Sequence, residues 1–359
     1  MPARAAAGVA AASGCADVRA CQPATAGVGT RRHLREDKAR WTQACILIPM
    51  PNPHPTPRPL LLLRMTRPAF FLLTVVACVL GTATASACGC GLDPTLALGA
   101  TALAVLAHAA GNVLNDLHDA RNGADAANAH GLFPFTGGSR LIQTGQVTEQ
   151  QTADLAKALL LFLLPAGLLL AVAVGGGVLV LGAAGLLLAW AYSAPPLRLM
   201  SRGLGELTVA LVWFLVVVGA DYVQRRQFFV IPASAAAGFA LMVAGLLLVN
   251  GFPDAPADAR VGKRTLVVRL GATPAAALYT GLVLGAHAWL ALSAWLLIPP
   301  MPALWGLVSL PVSLGAVAWL WRFRHQPRQL RPALALTVLA TLLHGLGMAW
   351  GFAQMARLH

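Results

Sequence analysis

The chain has 359 residues, of which 57% are hydrophobic and 11% are charged, and its net charge is +13. Soluble domains average about 25% charged residues, so this composition excludes an ordinary water-soluble protein. Apolar runs of roughly 20 residues recur after residue 68, which is the length that the hydrocarbon core of a bilayer requires. The sequence therefore predicts a polytopic integral membrane protein.

Residues 1–64 precede the first apolar span and have a different composition. Residues 1–49 are rich in Ala, Gly, Arg and Cys without helical periodicity, and the following proline-rich stretch, 51–59, is predicted to be extended. No apolar stretch before Met50 is strong enough for a secretory signal. We interpret 1–64 as a disordered extension, or as partly the product of a mis-assigned start codon with Met50 as the true initiator. Residues 65–359 are predicted to form one membrane domain.

The membrane domain is predicted to be an all-α bundle of nine transmembrane helices. Helices are expected because lipid offers no partner for exposed backbone groups, and no alternating strand pattern occurs. The predicted spans are residues 68–88, 94–114, 155–175, 176–192, 204–223, 229–250, 274–297, 302–321 and 332–354.

The distribution of Lys and Arg predicts the orientation of the bundle. The loops after spans two, four, six and eight carry twelve cations, whereas the loops after spans one, three, five and seven carry only Arg225 and Arg226. Because cations concentrate on the cytoplasmic side, we predict an inner-membrane protein with a cytoplasmic N-terminus and an external C-terminus. The net charge is thus a signal of topology together with a basic N-terminal arm, and it gives no reason to expect nucleic-acid binding.

The two largest polar loops, 115–152 and 251–273, follow spans two and six. This spacing predicts two pseudo-repeated four-helix units plus one further helix. Matching polar residues stand at the ends of the two spans, and each set has the three- and four-residue spacing of one helix face. The sets are Asn112, Asp116 and Asp119, and Asn250, Asp254 and Asp258.

These acidic clusters are the main functional signal in the sequence. A charged side chain at the centre of a membrane helix costs about 2.5–3.5 kcal/mol, so matched acidic clusters near the bilayer indicate a polar site. Aspartates on facing helices suit magnesium, which takes one or two carboxylates and bridges to phosphate oxygens. Arg140, Lys263 and Arg264 could add charge-assisted bonds to the same anion. The clusters predict magnesium-assisted departure of a diphosphate.

Four sequence runs, in this order and spacing, resemble the UbiA superfamily of intramembrane prenyltransferases. The runs are NDLHDARNGAD from residue 115, FTGGSRLIQTGQVT from 135, YSAPPLRLMSRGLGE from 192 and NGFPDAPADARVGKRTLVVRLG from 250. The resemblance extends over about residues 64–355. The GGSR and GKRTL segments resemble the branch that prenylates 1,4-dihydroxy-2-naphthoate for menaquinone.

The resemblance implies a set of metal ligands and a reaction. The first motif of the family is NDxxDxxxD, and here Gly123 stands at its last position while Asp125 follows two residues later. The second motif, DxxxD, contains Pro256, which predicts a kinked or irregular turn. The implied magnesium ligands are Asn115, Asp116, Asp119, Asp125, Asp254 and Asp258.

The resemblance also implies that an allylic diphosphate ionises and that an electron-rich aromatic ring attacks the resulting cation. Tyr192 would lie near that cation, although a tyrosine at a span end can equally be an interface anchor. Arg198 can equally be a positive-inside residue. Arg67 could meet the carboxylate of the acceptor. The implied substrate-binding residues are Asn112, Asn115, Arg140, Asn250, Lys263, Arg264 and Arg198.

Other functions compete with this interpretation. The same fold could use 4-hydroxybenzoate, homogentisate, a chlorin or haem as acceptor. A secondary transporter is also built from duplicated bundles, but it would place acidic residues near span midpoints, and here they cluster at one membrane face. A magnesium-dependent lipid-alcohol phosphotransferase would carry a DG-x-x-AR type run, to which DARNGAD has only a superficial likeness.

Overall fold

The computed structural model describes residues 58–89, 91–128 and 131–357, and every regular element in these ranges is helical. The predicted all-α fold is therefore confirmed. The α-helices are α1 (Arg58–Met65), α2 (Phe71–Ser86), α3 (Pro94–Arg121), α4 (Ala124–Ala127), α5 (Glu149–Val174), α6 (Gly177–Ser193), α7 (Gly205–Arg225), α8 (Val230–Arg260), α9 (Leu266–Leu270), α10 (Ala272–Trp295), α11 (Leu310–Phe323) and α12 (Arg331–Ala356). Short 3₁₀ segments occupy Pro68–Phe70, Leu199–Arg202, Met301–Ser309 and Pro327–Gln329.

Eight stretches of the described chain are long and apolar enough to cross a membrane. They correspond to the predicted spans apart from the fourth. That span forms α6, which has 17 residues. A helix of this length covers about 26 Å, slightly less than the roughly 30 Å hydrocarbon core. The total of nine spans therefore stays a prediction.

Contacts between loops define two ends of the bundle. At the first, which we call the aspartate end, Lys263 beyond α8 contacts Asp119 near the end of α3, with 2.9 Å between Nζ and Oδ2. The backbone N–H of Arg264 donates to the carbonyl of Ser201, 3.2 Å away, in the segment after α6. The loops after α3, α6 and α8 therefore meet at one end.

The intervening loops meet at the opposite end. The N–H of Gly177, at the start of α6, donates to the hydroxyl of Tyr222 near the end of α7, 3.0 Å away. The N–H of Asp93, before α3, donates to Oε1 of Gln224 at 2.9 Å. Helix α6 thus runs from this end to the aspartate end, as a transmembrane helix would.

Both helices that carry the acidic residues are longer than predicted. Helix α3 continues to Arg121 rather than residue 114, and α8 continues to Arg260 rather than residue 250. Of the two expected alternatives, the irregular turn is wrong, because α8 is one continuous helix through Pro253 and Pro256, and the kinked turn stays a prediction. The aspartates consequently project from helical turns and not from loops.

The N-terminal boundary also differs from the prediction. Residues 58–64, which were assigned to an extension, belong to helix α1, and the expected extended conformation at residues 58 and 59 is wrong. The reason is apolar packing: Met65 is 2% exposed and joins a cluster with Val113 and Leu141, against which Leu61 packs. The predicted disorder of residues 1–57 and the proposed start at Met50 lie outside the described residues.

The core lies among α2, α7, α8, α10 and α12, while α5 and α6 expose many leucines. Small residues permit close helix contacts there, as is usual in membranes. A Cβ atom on Gly81 of α2 would lie only 2.1 Å from the carbonyl oxygen of Val217 in α7. The exposed leucines of α5 and α6 provide the surface that lipid would cover.

Candidate active site

The first group of site residues joins α3 to the loop after α8. The ammonium of Lys263 lies 3.0 and 2.9 Å from the two carboxylate oxygens of Asp119 and 3.5 Å from Oδ1 of Asp258. All three residues are buried. The amides of Asn115 and Asn122 also donate to Asp119, at 3.0 and 3.1 Å. Lys263 therefore connects the two predicted motifs directly.

The second group gathers around Gly138, in the loop between α4 and α5. A Cβ atom on Gly138 would lie 3.1 Å from Oδ1 of Asp116 and 2.9 Å from Oδ2 of Asp125. Both carboxylates are buried, and Oδ1 of Asp116 has no hydrogen-bond partner in the described structure. The glycine, at φ +72°, thus allows two acidic side chains to approach the same small space.

Loop residues hold these carboxylates in place. The N–H of Ser139 donates to Oδ2 of Asp116 at 3.0 Å, and Arg67 lies 3.6 Å from the other oxygen. The amide of Gln143 donates to Asp125 at 3.4 Å. These contacts orient both acidic groups of the second cluster from the loop side.

The remaining acidic residue, Asp254, is held from the opposite side of the site. The amide of Asn128 donates to Oδ1 of Asp254 at 2.6 Å. Asn128 follows α4, so this bond ties the loop after α3 to helix α8. All five predicted acidic residues consequently lie at the aspartate end.

The electrostatics of the site show an excess of negative charge. Burial, followed by the charges of Asp119 and Asp116, raises the pKa of Asp125 to about 8. Burial alone would lower the pKa of Lys263, but the carboxylates of Asp119 and Asp258 outweigh it and raise that pKa above its ordinary value. Among the described residues, only two cations, Lys263 and Arg67, form ion pairs with these five carboxylates. Further positive charge would stabilise this arrangement.

These residues fit a divalent cation that arrives with a phosphate ligand. Oxygen donors are the ligands magnesium prefers, and the unpartnered oxygen of Asp116 beside Asp125 offers such donors. Within the described ranges, no three acidic, histidine or cysteine side chains form a ready-made metal cage. Magnesium commonly uses one or two carboxylates with water and substrate phosphate, so a complete cage is not required.

A cavity of about 500 Å³ extends from this end into the bundle. Arg67, Asn112, Asn115, Tyr192 and Asn250 contribute to its wall, which is otherwise mainly aliphatic side chains of α2, α3 and α5–α8. Along α3 the lining runs from Asn115 to Ala100, about 22 Å. The cavity is thus an apolar channel with polar groups concentrated near the carboxylates.

Of the four cations predicted to bind substrate, one contacts the carboxylates and three lie elsewhere. Arg140 bonds to the backbone carbonyls of Asp125 and Asn128, the latter at 3.1 Å, and therefore supports the loop. Arg198 and Arg264 are exposed, and the described structure shows no side-chain ion pair for either. Lys263 contacts the carboxylates directly, whereas these three arginines do not extend the cluster.

Several polar contacts of the site were not predicted from the sequence. Asn128, Ser139 and Gln143 each hold an acidic residue, but nothing in their spacing identifies a partner far along the chain. The GGSR run contains Gly138 and Ser139, so its unusual composition was the available signal. His108, which also lines the cavity, was not predicted either.

Comparison with known proteins agrees with this geometry. The UbiA prenyltransferase family matches residues 70–343, which is most of the chain. The chain belongs to the UbiA prenyltransferase family. Among curated relatives of this UbiA family protein, 1,4-dihydroxy-2-naphthoate octaprenyltransferase of Escherichia coli (strain K12) is 31% identical over 294 residues, covering 78% of this chain and 91% of that protein.

Solved structures of UbiA homologues share the fold. The apo structure from Aeropyrum pernix K1 has a TM-score of 0.61 at 18% identity, covering 78% of this chain and 96% of that one. The Archaeoglobus fulgidus homologue bound to DMAPP and Mg2+ has a TM-score of 0.57 at 16% identity, covering 82% and 98%. At these identities the likeness shows the fold alone. The predicted family is confirmed, and the protein is a membrane prenyltransferase.

Proposed function

We propose that this protein transfers a polyprenyl chain from its diphosphate to an aromatic quinone precursor, 1,4-dihydroxy-2-naphthoate, in a magnesium-dependent reaction. The observation that carries the proposal is the apolar cavity that begins beside a buried carboxylate cluster. A molecule with a long hydrocarbon tail and an anionic, metal-binding head matches both parts. The name of the Escherichia coli relative and the Mg2+ complex of the Archaeoglobus homologue support the acceptor and the metal.

Asp116, Asp119, Asp125, Asp254 and Asp258, with Asn115, would hold magnesium, which when bound neutralises the diphosphate and makes it a better leaving group. Lys263, placed between Asp119 and Asp258, is positioned to contact the same anion. Asn112 and Asn250 lie on the cavity wall and would contact the substrate there.

The cavity protects the reacting carbon. Its aliphatic wall excludes water, which would otherwise capture an allylic cation. Tyr192 lines the cavity and would offer a ring face to that cation. The allylic carbon–oxygen bond breaks, a carbon–carbon bond forms to the naphthoate ring, and pyrophosphate and the ring carboxylate leave, the latter as carbon dioxide.

The test is an assay of the purified full-length protein with Mg2+, a polyprenyl diphosphate and a panel of aromatic acids, with products identified by mass. We expect the prenylated, decarboxylated naphthalenediol as the main product and no product with EDTA. Asp119→Ala and Asp254→Ala should lower turnover by at least about a hundredfold. Asp154→Asn, at an exposed aspartate in α5, is the matched control and should retain the parent rate.

Two outcomes would contradict the proposal. Turnover of 4-hydroxybenzoate or homogentisate in place of the naphthoate would overturn the acceptor. Parent-rate activity in an Asp119→Ala, Asp254→Ala double variant would overturn the metal assignment.

A further inference from the structure

His108 occupies an unusual position in the wall of the cavity. It lies on α3 one turn before Asn112 and eight residues before Asp116, which places it about 12 Å along the helix from the nearest carboxylate of that helix. Its neighbours in this part of the wall include Leu103, Ala104 and Ala107. A polar ring therefore stands in a largely apolar channel, beyond the reach of the carboxylates.

The imidazole ring of His108 is held on three sides. Its Nδ1 forms a hydrogen bond of 2.7 Å with Oγ1 of Thr74 on α2. The ring makes edge contacts with Phe71, at 5.6 Å between centroids, and with Trp213 of α7, at 5.1 Å. Residues of α2 and α7 thus fix the orientation of the ring, and only one nitrogen remains available.

The second nitrogen, Nε2, belongs to a residue that lines the cavity. It has no hydrogen-bond partner in the described part of the chain, and it is not among the polar atoms that protein fully encloses. The bond to Thr74 satisfies Nδ1 and links α2 to α3, but it gives no hydrogen-bond partner to Nε2. A prenyl tail could not satisfy this atom, and leaving a polar group desolvated against hydrocarbon costs about 1–3 kcal/mol.

We propose that Nε2 of His108 hydrogen-bonds a ring hydroxyl of the aromatic acceptor and so orients the ring for attack on the allylic carbon. This inference rests on the proposed function. A hydroxyl suits the site because it both donates and accepts, and it can pair with Nε2 whichever nitrogen of the imidazole carries the proton. The acceptor class is therefore a hydroxylated aromatic acid with its hydroxyl directed away from the carboxylate cluster.

The test uses His108→Phe, which retains a ring against Phe71 and Trp213 but removes both nitrogens. Loss of one hydrogen bond should raise the KM for 1,4-dihydroxy-2-naphthoate about tenfold and change the KM for the prenyl diphosphate by less than about twofold. Equilibrium binding of the naphthoate to the protein without diphosphate should weaken by a similar factor. An unchanged thermal melting midpoint in detergent would show that the fold is intact.

His108→Gln is the matched variant, because its side-chain amide can supply a donor and an acceptor near the position of Nε2. It should recover most of the naphthoate affinity, which a purely structural role of the histidine would not predict. An unchanged KM for the naphthoate in His108→Phe, or a rise confined to the KM for the diphosphate, would overturn the inference while leaving the proposed function intact. Failure of the parent protein to prenylate any hydroxylated aromatic acid would overturn both.

Discussion

Gly138 shows how a single missing side chain shapes the site. Asp116 and Asp125 approach the same space only because no Cβ atom occupies it. The residue also has a positive φ, so two separate effects would follow a substitution there: backbone strain and crowding of the carboxylates. The loop offers a way to separate the two effects.

Gly138→Ala should reduce prenyl transfer by at least about tenfold and raise the magnesium concentration needed for half-maximal rate, because its methyl group displaces two candidate ligands. The measurement is initial rate against Mg2+ concentration.

Gly145→Ala is the control for Gly138→Ala, since Gly145 has φ +68° in the same loop and no atom within 4 Å of a built Cβ. Gly145→Ala introduces the backbone strain of a positive φ, but its methyl group crowds no neighbouring atom. Equal losses in the two variants would show that strain alone matters.

At this scale the sequence identified the acidic residues but not what holds them. Their helical spacing was enough to predict that Asp116 and Asp119 share one helix face and that Asp254 and Asp258 share another, since that pattern is local. The contacts of Asn128 and Ser139 depend on the path of a long loop, which no local pattern encodes. Exposed Arg198 and Arg264 were indistinguishable in sequence from buried Lys263.

Helices α3 and α8 are joined at the aspartate end by Lys263, which lies between Asp119 and Asp258. Breaking a buried ion pair by removing one partner is strongly destabilising, because uncompensated charge stays behind. The lysine is therefore both part of the site and a tie between the two helices.

Lys263→Met should lower the free energy of unfolding by about 3 kcal/mol without magnesium, because two buried carboxylates lose their counter-charge. Added Mg2+ should raise the melting temperature more in this variant than in the parent. Thermal unfolding in detergent, with and without Mg2+, measures both effects.

Lys157→Met is the control for Lys263→Met, because Lys157 is 68% exposed and its pair with Asp154 is a surface pair. It should melt like the parent. If both lysine variants melted alike, the role of Lys263 in joining the helices would be wrong.

Helix lengths illustrate the limits of prediction at the element scale. Apolar composition marked the membrane part of α3 and α8 but not their polar continuation to Arg121 and Arg260. Proline in the second motif argued against a helix, yet α8 continues through it. Helix α1 was missed because its packing on Val113 involves residues far along the chain.

The whole bundle has its acidic cluster and most loop cations at one end. Loop contacts place the ends of α3, α6 and α8 together, as expected of loops on one side of a membrane, and the cytoplasmic orientation of that side stays a prediction. Helix α6, with 17 residues, decides the side of the C-terminus, because one crossing more or fewer reverses the orientation of every later helix.

Fusions to alkaline phosphatase and to green fluorescent protein test the predicted topology. With nine crossings and a cytoplasmic N-terminus, a phosphatase fused after Arg357 should be active, because it lies outside. The same enzyme fused after Gln326, between α11 and α12, should be inactive while the fluorescent fusion there is bright. The reverse pattern at both sites would show either that the number of membrane crossings is wrong by an odd number or that the whole bundle is inverted.

The position of Lys263 has a consequence for the order of ligand binding. Its ammonium already pairs with Asp119 and Asp258, so a lone divalent ion would have to compete with an internal cation for the same oxygens. An incoming diphosphate group would give that ammonium a new anionic neighbour and leave the aspartate oxygens available to the divalent ion. Mg2+ and the prenyl diphosphate should accordingly bind cooperatively, so that each increases the affinity of the protein for the other.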